Sequence, residues 1–505
     1  MLTITNSMSI IGIYAQIVSV QVDISSGLPY FEIVGLPDKT VKEAKERVRI
    51  AIKNSGYDFI SKKVIINLAP ANSRKGGAIF DLSIAVGILM SLEVFKKDNI
   101  NEYIIVGELS LDGSIKEIDG IIAIVMEMRK KGFKKLILPA KNIVEITMFE
   151  DIEMYPMETL KDVVKYLVTG ELNNKIKEIR CVDLQNEAKA LYDFSEICGQ
   201  ESAKRALEIA AAGGHNVLLS GVPGSGKTML AEAFVGILPR LTTEEILEIS
   251  RVYSVYGNTY MENRICNKRP FRKPHYTITE KSLLGGGMYP KPGEITLANK
   301  GVLFLDELLE FKKQTLEALR TPLENKSIVM SRVNYKLEYP CDFILIAATN
   351  PCPCGFYGST VKECDCQNQA RENYLNKLSG PLLDRFDMIV QVNEVKYKEL
   401  KNRTKREKSI EVQKRVIAAR SIQEKRYENE NITVNNELKN YLIDKYCKVD
   451  KSSELILEKY YTTTKASVRT YNKILKIART IADLENKENI ESKHIAEALQ
   501  YKKWR

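Results

Sequence analysis

Apolar positions change period twice along the chain, and the two changes divide it. Over residues 1–170, strand-like runs (IIGIYAQIVSVQVDI, FEIVGL, KVIINLAP, YIIVGEL, KLILPA) alternate with the helically spaced stretches VKEAKERVRIAIKNSG and DLSIAVGILMSL. That mixture predicts an α+β domain. Residues 171–190, ELNNKIKEIRCVDLQNEAKA, are polar and charge-rich and read as a linker helix or loop. From 191 to 394 the order becomes helix, strand, glycine loop, helix, followed by the short apolar runs GVLFLDEL, FILIAATN and MIVQV, the rhythm of a parallel α/β sheet. Over 395–505 the segments KRVIAARSIQEKRY, NELKNYLIDKYC, ASVRTYNKILKIARTIADLE and SKHIAEAL space their apolar residues by three and four, which predicts a helical domain.

Composition supports this division. A chain of 505 residues that is 44% hydrophobic and 28% charged can bury several cores and is not intrinsically disordered. Lys and Arg number 75 and Asp and Glu 65, a net charge of +10, which permits a polyanion partner without requiring one. No apolar run approaches the ~18 residues of a membrane span, and the start MLTITNSMSI lacks a signal-peptide pattern. A cytoplasmic protein with no membrane contact is expected. Nine cysteines, an odd number, argue against a disulfide framework and for a metal site or buried thiols.

The strongest chemical signal is VLLSGVPGSGKTML, an apolar strand running into a phosphate loop that opens a helix. Gly221, Val222, Pro223, Gly224, Ser225 and Gly226 would turn backbone N–H groups onto the phosphates of ATP. Lys227 would meet the β and γ oxygens, and Thr228 would ligate Mg²⁺. In GVLFLDEL, Asp306 and Glu307 end a buried strand at the carboxyl edge, where ligands bind. Asp306 is expected to hold the metal and Glu307 to act as general base for the attacking water. Asn350 ends FILIAATN and can orient that water. Arg385, in SGPLLDRFD, is a candidate finger for a neighbouring subunit's nucleotide, with Arg371 a weaker one; Arg469 in the last domain can reach the same site from a lid.

In this order, GVPGSGKT, VLFLDE, Asn350, LLDRFD and the SVR helix resemble an AAA+ ATPase. RPFRKPHYTITEKSLLGGG followed by KPGEITLANKGVLFLDEL is similar to the magnesium-chelatase-like branch. FEIVGLPDKTVKEAKERV, INLAPA, GELSLDGSI and ARTIADLE extend the resemblance, over nearly the whole chain, to the YifB/ComM family. The resemblance implies an α/β multidomain protein: an N-terminal α+β domain like that of Lon protease (S5-like), a central AAA+ P-loop NTPase with a parallel sheet, and a C-terminal helical lid. It also implies a homo-oligomeric ring, a hexamer, that hydrolyses ATP to drive branch migration of single-stranded or branched DNA in recombination or natural transformation. Glu307, Asn350, Arg385 and Arg469 then match the Walker B base, sensor 1, arginine-finger and sensor 2 positions.

A Lon-type protease needs a Ser–Lys pair. RKGGAIFDLSIAVGIL holds Gly-Ala-Ile-Phe-Asp where the nucleophile loop would lie, with Ser83 farther on inside a helix, and Ile121 and Ile122 stand where the Lys would follow. The domain therefore reads as a scaffold or DNA-contacting unit. NPCPCGFYGSTVKECDCQ pairs Cys352 with Cys354 and Cys364 with Cys366, a spacing that can close a tetrahedral Zn²⁺ site. NKRPFRKPHYTITEK offers Arg269, Arg272 and Lys273, with Lys268 and Lys281, interleaved with Phe271, His275 and Tyr276, as a strand-tracking loop. IVMSRVNYKLEY offers Arg332 and Lys336 near a hairpin tip. His494 reads as a helix-surface residue and the scattered Cys181, Cys198, Cys266, Cys341 and Cys447 as small apolar ones. Two other functions compete: a protein-remodelling chaperone or protease component, and a chelatase-like ATPase subunit.

Overall fold

In a computed structural model the described residues are 2–59, 62–71, 75–172, 191–257, 265–287, 290–332, 335–359, 362–395 and 406–502. The expected linker lies almost wholly outside them, as does Cys181.

The N-terminal part is built on a seven-stranded mixed sheet in the order Tyr30–Val34, Lys63–Ala69, Tyr14–Ser25, Leu2–Ile11, Tyr103–Ile105, Lys135–Pro139, Glu153–Met157. The run IIGIYAQIVSVQVDI is not one strand. Gly12, at φ +60°, turns the chain, so that Leu2–Ile11 pairs antiparallel with Tyr14–Ser25 from Leu2 opposite Asp23 to Ile11 opposite Tyr14. The first of these strands carries no apolar alternation because one buried face is Thr3, Thr5, Ser7 and Ser9. That face receives the helix Asp81–Ser91: Thr5 Oγ1 donates to the Ser83 carbonyl at 3.2 Å and Ser91 Oγ to Thr3 Oγ1 at 2.8 Å. Gly87 lets the helix approach closely, since a Cβ there would lie 2.8 Å from Val22 Cγ2. Ser83 is fully buried and its hydroxyl donates to the Phe80 carbonyl at 2.9 Å, while Ile121 and Ile122 are core residues. These positions form no Ser–Lys pair.

The hairpin tip joins this sheet to the central region. Ile13 is fully buried among Ile249, Val252, Tyr253, Leu297 and Tyr339, a contact of about 1.5–3 kcal/mol in apolar transfer alone. Tyr14 Oη donates to the Glu338 carbonyl at 2.6 Å, Arg251 lies over the Tyr14 ring, and Gly120 N–H donates to the Ser254 carbonyl at 2.8 Å.

The central sheet is parallel and five-stranded, ordered Phe271–Arg272, Val302–Leu305, Ile344–Thr349, Val217–Gly221, Met388–Val392. The apolar runs read as buried strands are these strands. Helices Ser409–Arg426, Asn440–Tyr446, Lys451–Thr464, Val468–Leu484 and Ser492–Gln500 follow as the expected helical unit. Lys451–Thr464 was not anticipated: KSSELILEKYYTTT has a weak apolar stripe, and the helix starts from an Asp450 cap on Ser453 N–H. His494 also departs from its reading, being fully buried, with Nδ1 accepting from Glu491 N–H at 2.9 Å and Nε2 3.2 Å from Glu485 Oε2. Among the described residues no helix is long and apolar enough to cross a membrane.

The helical unit holds the sheet through a buried polar junction. His215 is fully buried, with Nε2 2.9 Å from Thr480 Oγ1 and Nδ1 3.9 Å from Asp387. Burial pushes its imidazole down to about 4; Asp387 opposes this, while Lys476, Lys502 and Arg420 reinforce it. The unfolded chain takes up this proton near pH 6.5 and the folded chain only near 4. Unfolding therefore binds protons in that window and stability falls as the pH drops through it, by up to about 3 kcal/mol from this group. Thermal melts of His215→Gln from pH 7 to 4 should show a shallower loss of Tm than the parent; parallel profiles would contradict the assignment.

Candidate active site: a phosphate loop at the sheet edge

All five central strands run parallel, so their carboxyl ends share one edge, and the phosphate loop leaves that edge from the strand that lies between Ile344–Thr349 and Met388–Val392. Gly224 and Gly226 take φ +77° and +90°, and Gly226 stands as N-cap of the helix Lys227–Phe234. Ser225 Oγ closes the loop on the Val222 carbonyl at 2.8 Å. Gln200, which the motif reading passed over, braces it from outside: its Nε2 donates to the Ser225 and Asn393 carbonyls at 3.2 and 2.5 Å. The only sequence signal for Gln200 was its place after Gly199, before a helix.

Lys227 is 9% exposed, and its Nζ donates to the Gly221 and Val222 carbonyls at 2.7 and 2.9 Å and to Asn350 Oδ1 at 3.2 Å. No carboxylate is among these partners. Burial pushes the ammonium down to about 8, with Asp306 and Glu307 pulling the other way. A desolvated cation without a contacting anion is a site prepared for one. Thr228 Oγ1 donates to Asp306 Oδ2 at 3.0 Å, and this hydroxyl and carboxylate are the hard oxygen donors that suit Mg²⁺. Glu307 is exposed and strained at φ +51°, which turns its side chain off the strand end. The structure thus brings Lys227, Thr228, Asp306 and Asn350 together. Arg385 and Arg469 stand apart: Arg385 pairs with Glu324 at 2.8 Å, and Arg469 is exposed in the first turn of Val468–Leu484. Arg371 lies on the Tyr357 ring at 3.9 Å.

The four paired cysteines converge directly beside this site. Cys352 Sγ lies 3.3 Å from Cys354 Sγ and 3.7 Å from Cys364 Sγ, and all four sulfurs fall within 4.8 Å of one another. Four thiolates around zinc at about 2.3 Å would stand ~3.8 Å apart, so the set fits that geometry. Tyr357 N–H donates to Cys352 Sγ and Cys354 N–H to Cys366 Sγ, at 3.3 and 3.4 Å. The knot also touches the phosphate loop, since a Cβ on Gly355 would lie 2.7 Å from Pro223 Cγ and 3.9 Å from Asn350 Cγ.

The basic segment ahead of the Walker B strand is not a projecting loop. Arg269 donates to the Pro239 and Lys300 carbonyls at 2.7 and 2.6 Å and pairs with Glu245 at 3.0 Å. Arg272 binds Glu294 through two bonds of 2.7 and 2.8 Å, and Phe271 stacks on Phe304. Lys273 pairs with Asp306 at 3.1 Å. None of these three cations is free for a phosphate backbone, because each neutralises a carboxylate that the fold leaves beside it. Lys268 and Lys281 remain exposed, as do His275 and Tyr276, whose rings meet at a tilt of 34°. The second expected element is a hairpin: Ser327–Arg332 pairs antiparallel with Tyr335–Pro340, and Lys336 is exposed; the Arg332 side chain lies outside the described residues. A smaller hairpin, Gly285–Gly286 with Lys291–Pro292, packs against it where Gly285 meets Met330.

Comparison with known proteins agrees with this geometry. The family model for magnesium chelatase subunit ChlI matches residues 193–400, a second for subunit ChlI of Mg-chelatase matches 20–142, and one for the ChlI C-terminal region matches 406–502. The competence protein ComM of Haemophilus influenzae is 41% identical over 503 residues, covering 99% of this chain and 97% of that protein. The uncharacterised protein YifB of Escherichia coli is 40% identical over 502 residues, with the same two coverages. The 38 kDa magnesium-chelatase subunit of Rhodobacter capsulatus is 24% identical over 222 residues, 41% of this chain and 57% of that one.

Replacing Lys227 by Ala should abolish nucleotide binding, whereas Glu307→Gln should bind ATP and fail to hydrolyse it. Equilibrium binding of a fluorescent ATP analogue beside phosphate release separates the two; turnover by Glu307→Gln would show that another group is the base.

Proposed function

The chain belongs to the YifB/ComM family of magnesium-chelatase-like AAA+ proteins, and from that premise we propose that it is an ATP-hydrolysing ring motor that acts on DNA, a branch-migration helicase of recombination or natural transformation. The observation that carries this reading is the division of the catalytic set. Lys227, Thr228, Asp306 and Asn350 meet in one pocket, while Arg385, the cation needed for the charge that develops on the transferred phosphoryl group, is paired instead with Glu324. A second copy of the chain supplies what the first lacks, and a closed ring, a hexamer, satisfies every subunit at once.

Within each site Lys227 and the loop N–H groups bind the phosphates, Thr228 and Asp306 hold Mg²⁺, and Glu307 takes a proton from water oriented by Asn350. Held by Thr228 and Asp306, Mg²⁺ would supply neutralisation of the charge on the nucleotide's phosphates. DNA as substrate rests on the competence protein among the relatives and on the paired hairpins, which carry the exposed Lys336. The four cysteines would hold a structural Zn²⁺, for which soft thiolate ligands are suited.

ATPase rates should rise with forked or single-stranded DNA, and DNA affinity should fall steeply with salt; flat rates with every DNA form would remove the motor reading. Arg385→Ala should keep nucleotide affinity and lose about 10³-fold in kcat. Protein purified without chelator should carry one zinc per chain by elemental analysis, lost in Cys364→Ser; four titratable thiols with no metal would refute the zinc site.

A further inference from the structure

Lys273 follows the edge strand Phe271–Arg272, next to the Walker B strand. Its Nζ lies 3.1 Å from Asp306 Oδ2, the oxygen that also accepts the Thr228 hydroxyl at 3.0 Å, and 5.3 Å from the centre of the Phe304 ring. The two arginines of this segment are fixed elsewhere, Arg269 on Glu245 and backbone carbonyls, Arg272 on Glu294. Lys273 alone points at the nucleotide centre. Its side chain is 39% exposed and that of Asp306 29%, so the pair faces the pocket and opens without disturbing the core.

An ammonium and a divalent cation placed on the same carboxylate oxygen repel each other at contact distance in a partly desolvated site, so they compete for it. We propose that Lys273 is a resident cation of the nucleotide centre, one that orients Asp306 in the nucleotide-free protein and is displaced from it by the Mg²⁺ that arrives with ATP. The proposal rests on the ATPase reading above and adds to it a residue outside the nucleotide-binding motifs. Its consequence is a threshold, because metal must compete with a tethered ammonium before nucleotide is held productively. A lysine suits this better than an arginine, being a compact point charge on a flexible stem that leaves one oxygen without breaking a bidentate fork.

The test is an Mg²⁺ titration of binding by a fluorescent ATP analogue at saturating nucleotide, in full-length protein carrying Glu307→Gln so that no turnover occurs. Lys273→Gln and Lys273→Met should each lower the Mg²⁺ midpoint about three- to fivefold, the size of one partly exposed ion pair. Lys268→Gln, which removes an equal charge from an exposed position nearby, should leave it unchanged. Normal analogue binding with an unmoved or raised midpoint in both Lys273 variants, or an equal shift in Lys268→Gln, would overturn the assignment and leave the ATPase reading intact. Absence of Mg²⁺-dependent binding in the protein with native Lys273 would remove that reading, and the assignment with it.

Discussion

A buried ammonium group sets the terms for this molecule. Lys227 is held by two backbone carbonyls and an amide oxygen, none of which carries a full negative charge, and Asp306 and Glu307 offset its desolvation only in part, which leaves it to be met by an entering polyanion. Around it the parallel sheet supplies the rest by topology. Strands that all end at one edge bring the phosphate loop, the Asp306 carboxylate and Asn350 together from positions far apart in sequence. The cysteine knot continues directly from Asn350 and lies against Pro223, so the polar end of that strand and the loop it faces share one brace.

The helical unit acts on the segment that bears Arg385. Lys473 Nζ donates to the Asp384 and Phe386 carbonyls, Lys502 Nζ to the Asp387 carbonyl at 2.6 Å, and Ile389 N–H to the Tyr501 carbonyl at 2.8 Å. Burial alone would push the Asp387 carboxyl up, but Lys473, His215, Lys502 and the Asn216 N–H outweigh it and keep the group below the usual carboxylate range. Asn216 ties the same segment to the start of the phosphate-loop strand, donating to the Arg385 carbonyl at 3.1 Å while accepting from Leu345 N–H at 2.8 Å. Arg385, the finger of the proposed function, thus sits on a segment tied by hydrogen bonds to the helical unit, a linkage through which a neighbour's chemistry would reach that unit in the proposed motor.

Much of this was legible in sequence because its signals are local. The phosphate loop announces itself by glycine spacing, the Walker B strand by four apolar residues before two acids, and the cysteine knot by its pairing. What escaped depends on contacts between distant segments. The strand Leu2–Ile11 buries hydroxyls against a helix eighty residues away, so no apolar alternation marks it. Arg269, Arg272 and Lys273 looked like a basic loop because Glu245, Glu294 and Asp306, their partners, are scattered over sixty residues of sequence. His494 differs in that its partners are local, Glu491 N–H and the Glu485 carboxylate; what the sequence does not mark is its full burial, which comes from the packing of its helix.

The central claim is that each nucleotide is hydrolysed between two copies of the chain. It is tested most directly by mixing Lys227→Ala subunits, which keep Arg385 and cannot bind ATP, with Arg385→Ala subunits, which bind ATP and lack the finger. Each alone should be inactive, and the mixture should regain ATPase activity at junctions where an intact pocket meets an intact arginine. A mixture that stays as inactive as its components, with mixed assemblies confirmed, would contradict the account.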